Sequence, residues 1–144
     1  MDWVSLFLSL FGLGQGRADR IADRRAEAFR LTAEVAGDVG RALDLIDTET
    51  ARLLARCAQV CPDEPAAAES CSSSMAKIKA DAQQLQTLAD TVKGQVVAKR
   101  GLAEWDRLIR DLNEWRATAS RLVPWIEGVV GRFDAVLDGR ERGI

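Results

Sequence analysis

The stretch CSSSMAKIKADAQQLQTLADTVKGQV, residues 71–96, carries the pattern from which the rest of the fold can be read. Within it Cys71, Met75, Ile78, Ala82, Leu85, Ala89, Val92 and Val96 recur in alternating steps of four and three. A helix turns about 100° per residue and a strand about 180°, so this spacing gathers all eight side chains on one helical stripe. Sustained over more than three heptads, it is the pattern of a coiled-coil seam. Several of the seam residues are small, so this helix is expected to lie close against its neighbours.

The same periodicity extends outward on both sides. Upstream, Ile21, Ala28, Thr32, Val35, Val39, Ala42, Ile46, Leu53, Cys57 and Val60 fall on steps of three and four or their multiples. The register slips near Thr50, as at a coiled-coil stutter. Gly37 and Gly40 sit inside this run, each costing a helix about 1 kcal/mol against Ala. They are expected to admit a close neighbour or to mark a bend. Cys61-Pro62-Asp63-Glu64-Pro65 ends the helix, with Asp63 or Glu64 capping the next and Pro65 in its first turn.

Downstream, Arg100-Gly101 marks a turn. A heavier seam follows: Leu102, Trp105, Leu108, Leu112, Trp115, Ala119, Leu122, Ile126, Val129, Phe133 and Val136. Pro124 falls inside this run and predicts a kink or a fresh helix start. Long helices joined by short connections become antiparallel neighbours. The expected fold is therefore all-α, an elongated antiparallel three-helix bundle with coiled-coil-like packing. Its helices are expected over about 17–60, 66–99 and 102–139, with 140–144 a frayed tail.

Residues 1–13 read differently from the rest. As a helix, Asp2, Ser5, Ser9 and Gly12 form one thin polar stripe. Around it stand Trp3, Val4, Leu6, Phe7, Leu8, Leu10, Phe11 and Leu13. Gly12-Leu13-Gly14-Gln15-Gly16 reads as a flexible break that separates a short apolar N-terminal helix from the bundle. Asp2 replaces the basic start of a signal peptide, and no small-x-small cleavage site follows. Trp3 to Leu13 would measure about 16 Å as helix, roughly half a bilayer core, so the segment does not cross a membrane alone. Such a surface needs burial against protein or in a membrane interface. Arg17, Arg20, Arg24 and Arg25 follow it, but Asp19, Asp23 and Glu27 interleave with them, so attraction to anionic lipid is modest.

Composition narrows the chemistry. The chain of 144 residues suits one domain, and its 47% hydrophobic residues suit a packed core rather than disorder. Twenty basic and 22 acidic side chains are interleaved, leaving no basic face for nucleic acid. There is no His, which removes the commonest general base and metal ligand. We expect no catalytic, cofactor-binding or metal site. Cys57 and Cys61 lie one helical turn apart, with Cys71 across the connection. Three reduced thiols are the default, the alternatives being a Cys61–Cys71 disulfide in an oxidising compartment or a metal site short of a fourth ligand. Trp125 falls off the seam, near Arg121, Gly128 and Arg132, and reads as an interface anchor or as a residue capped by the N-terminal helix.

Together these features imply a non-catalytic assembly or adaptor protein of the cytoplasm. It would self-associate, or dock a protein partner, through Trp3, Val4, Leu6, Phe7, Leu8, Leu10, Phe11, Leu13 and Trp125. The alternative is a peripheral protein on the inner face of a membrane, inserting the same N-terminal residues into an anionic lipid surface.

Overall fold

The computed structural model describes residues 3–96, 98 and 100–143, with side chains from residue 16 onward. Among the described residues four α-helices follow in chain order: α1 (Trp3–Val60), α2 (Pro65–Gln95), α3 (Leu102–Ala119) and α4 (Leu122–Glu141). They make three packed columns, α3 and α4 being successive halves of the third. Among the described residues no helix is long and apolar enough to cross a membrane.

Ion pairs between columns reveal the direction of each. Among the described residues six of them join α1 to the third column. In Arg24–Asp106, Glu34–Arg116, Arg52–Asp134 and Arg56–Asp138 the partners stand 82 residues apart, and in Arg56–Asp134 and Arg56–Glu141 they stand 78 and 85 apart, so α1 and the third column run parallel in one continuous register. Lys79 Nζ meets Asp47 at 2.7 Å, while Ala28 and Leu31 pack with Val92 and Val96, and Cys57 and Cys61 with Cys71. Rising numbers on α1 meet falling numbers on α2, so α2 runs antiparallel to α1.

The α2 seam packs as its spacing predicts. Cys71, Met75, Ile78, Ala82, Ala89, Val92 and Val96 are buried, and Leu85 is partly so. Pro65 opens the helix after Glu64, where its missing N–H costs nothing. On α1, Leu31 joins the expected seam beside Thr32, whose Oγ1 donates to the Ala28 carbonyl at 2.7 Å and so satisfies a buried hydroxyl. The core forms two clusters along the bundle, and Trp115 packs against both.

Three expectations need correction. No separate short apolar helix is seen, because α1 runs through Gly12–Gly16 without a break. Glycine lowers helix stability without forbidding the conformation. The side chains of Trp3, Val4, Leu6, Phe7, Leu8, Leu10, Phe11 and Leu13 lie outside the described residues. Secondly, a Cβ added at Gly40 would meet nothing within 4 Å, and at Gly37 only the tip of Arg41, so neither glycine admits a close neighbour. Thirdly, the seam of the last helix changes register. The third column breaks at Ser120–Arg121 and resumes as α4, with Pro124 in its first turn. Beyond that break Ile126, Val130 and Leu137 are buried, whereas Val136 is 58% exposed.

Candidate interaction groove

The register change gives α4 two apolar stripes. One, formed by Leu122, Ile126, Val130 and Leu137, enters the core against α1. The other carries Trp125, Val129, Phe133 and Val136 and turns toward α2. A single three-helix core accommodates only the first in full. Both flanking columns pack against α1 but touch each other sparsely, which leaves a furrow between α2 and α4.

Two adjoining hollows make up this furrow. One, of about 440 Å³, lies between Ser74, Lys77 and Ile78 of α2 and Trp125, Val129, Arg132, Phe133 and Val136 of α4. The next, of about 460 Å³, is lined by Asp81, Gln84, Leu85 and Leu88 of α2 with Thr118, Arg121, Leu122 and Trp125. Trp125 belongs to both and is 42% exposed. Large apolar side chains left partly open in a row are what a helix-accepting groove offers.

The spacing singles out Trp125 but assigns Val129, Phe133 and Val136 to the core. The missed signal is the abundance of apolar residues after Pro124: two stripes are more than one seam can use. Of the tryptophans on the seam, Trp105 is 1% exposed and Trp115 is partly buried.

The three thiols lie where α1 and α2 meet beside their connection. Cys57, Cys61 and Cys71 are free and buried in one cluster. Burial, reinforced by nearby Cys57, pushes the Cys71 thiol up from its ordinary value. Arg140 Nη1 donates to Cys61 Sγ at 3.4 Å and also pairs with Glu64, tying the end of α4 to the α1–α2 connection. Among the described residues, no group of three or more Cys, Asp or Glu side chains is placed to hold a metal ion.

No protein-family model, curated protein or solved structure matches this chain.

Proposed function

We propose that this chain is a non-catalytic helical assembly or adaptor protein that self-associates or docks a protein partner by helix-in-groove contacts. The observation that carries the reading is the furrow between α2 and α4, with Trp125 open at its centre. The apolar segment Trp3 to Leu13 supplies a second adhesive element, and coiled-coil-like packing of the seams gives the rigid bundle that presents both. An apolar helix face commonly finds its partner in such a groove, and aromatic residues are enriched among the contacts that dominate binding.

The test compares the full chain with one beginning at Gly14, by light scattering and by flotation with anionic liposomes. Assembly predicts a fall in mass on truncation and no flotation. Flotation of the full chain alone, at unchanged mass, would replace this reading with that of a peripheral membrane protein. The observation favouring that second reading is the apolar segment followed by Arg17, Arg20, Arg24 and Arg25.

A further inference from the structure

The geometry points to a specific occupant for the groove: the N-terminal segment, residues 1–13, of a second copy of this chain. This inference rests on the assembly reading and names its contact. Three observations support it.

The first is reach. By the 82-residue spacing, Thr118 at the near end of the groove stands level with Ala36 of α1. Gly16 lies about 30 Å from that level along the helix, while residues 1–13 as a helix measure about 20 Å. Folding back at Gly14–Gly16 would therefore leave the segment short of its own groove. An extended segment would reach, but with unpaired backbone polar groups in an apolar furrow. A second copy has no such constraint.

The second is length and pattern. Trp3, Phe7 and Phe11 recur every four residues, an aromatic stripe about 12 Å long on a helix. Trp125 to Val136 on α4 covers about 16 Å, enough to receive it. Three buried aromatics contribute about 450–750 Å², and a reciprocal exchange doubles this, approaching the area of a standard stable interface.

The third is charge. The hollow from Trp125 to Val136 has Lys77 and Arg132 on its lining and no carboxylate. The segment has Asp2 as its one charged side chain before Arg17. The Asp2 carboxylate, with no basic side chain in the segment beside it, complements that rim.

The test uses full-length variants and measures mass by sedimentation, with circular dichroism to establish folding. Phe7→Asp alters the segment and Trp125→Glu the groove; Val136→Glu is a second groove variant at an exposed position. Each should weaken association by about tenfold or more, as loss of a central interface contact does. An equimolar mixture of Phe7→Asp and Trp125→Glu should associate more tightly than either variant alone, because one intact segment and one intact groove remain. A mixture that associates no better than the separate variants overturns the inference. If Phe7→Asp dissociates the assembly while folded Trp125→Glu and Val136→Glu do not, the segment docks elsewhere; the inference falls and the assembly reading stands. A full chain that stays monomeric at all concentrations overturns the inference and the self-association on which it rests, leaving only docking of a different protein.

Discussion

Arg52 grips Asp134 with two parallel hydrogen bonds, Nη1 to Oδ1 at 3.0 Å and Nη2 to Oδ2 at 2.7 Å, joining α1 to α4. Arg56 adds a bond to the same carboxylate at 2.8 Å and continues to Asp138 and Glu141. The arrangement ties α1 to α4 in the parallel register observed. It sits on the partly solvated edge of the bundle, so its contribution is smaller than its bond count suggests.

The Arg52 hydrogen bond, opposed by burial and aided by Arg56, holds the Asp134 carboxyl below the usual carboxylate range. Its stabilisation is fully present above the unfolded value of about 3.9 and is lost as pH falls through the lower folded value. Asp134→Asn should therefore cost roughly 1 kcal/mol at neutral pH. Urea unfolding of both proteins from neutral pH downward checks this: the gap should close in acid. A gap that persists unchanged would assign the effect to packing.

Neighbouring residues on α4 offer a sharper test of register. Leu137→Ala should cost about 2–4 kcal/mol, because Leu137 is 3% exposed in the core. Val136→Ala should change stability by no more than about 0.5 kcal/mol. Thermal or denaturant unfolding of the two variants decides it; the reverse order would restore the seam expected from the sequence.

The open surroundings of Gly40 predict a gain. Gly40→Ala should stabilise the chain by about 0.5–1 kcal/mol, since the added methyl meets no neighbour and the unfolded chain loses freedom. A loss of stability in a denaturant titration would mean that a neighbour approaches there after all.

The buried thiols should differ in accessibility. Cys71 is fully buried and its thiol is pushed up, so it should resist a thiol-reactive dye at neutral pH until the bundle unfolds. Cys61, 8% exposed beside Arg140, should be labelled before it. Mass spectrometry of peptides from partly labelled protein distinguishes the two; rapid labelling of Cys71 in the folded state would contradict the packing described.

Much of the fold was legible because burial follows periodicity where one helix has one dominant apolar stripe. From Cys71 to Val96 the other faces of α2 are mostly polar, and the seam is the core. On α1 the same steps find most of the core but miss Leu31, because a helix flanked by two columns buries a wider stripe. The groove was harder to read. After Pro124 the chain carries two apolar stripes, and spacing alone does not say which one α1 covers. Trp125 stands out because it falls off the longer seam; Val129, Phe133 and Val136 do not, because they continue it.

The helices, their connections at Pro62–Pro65 and Gly101, and the seam of α2 follow from local backbone preferences and from a period within one element, and so are written in the chain. Which stripe of α4 enters the core, and which is left to form the groove, is settled only when the columns pack. That choice depends on the turn at Ser120–Arg121 and on how the α4 side chains pack against α1, which together set the rotation of α4. Contacts between distant elements carry that information; the spacing of residues along a single helix does not.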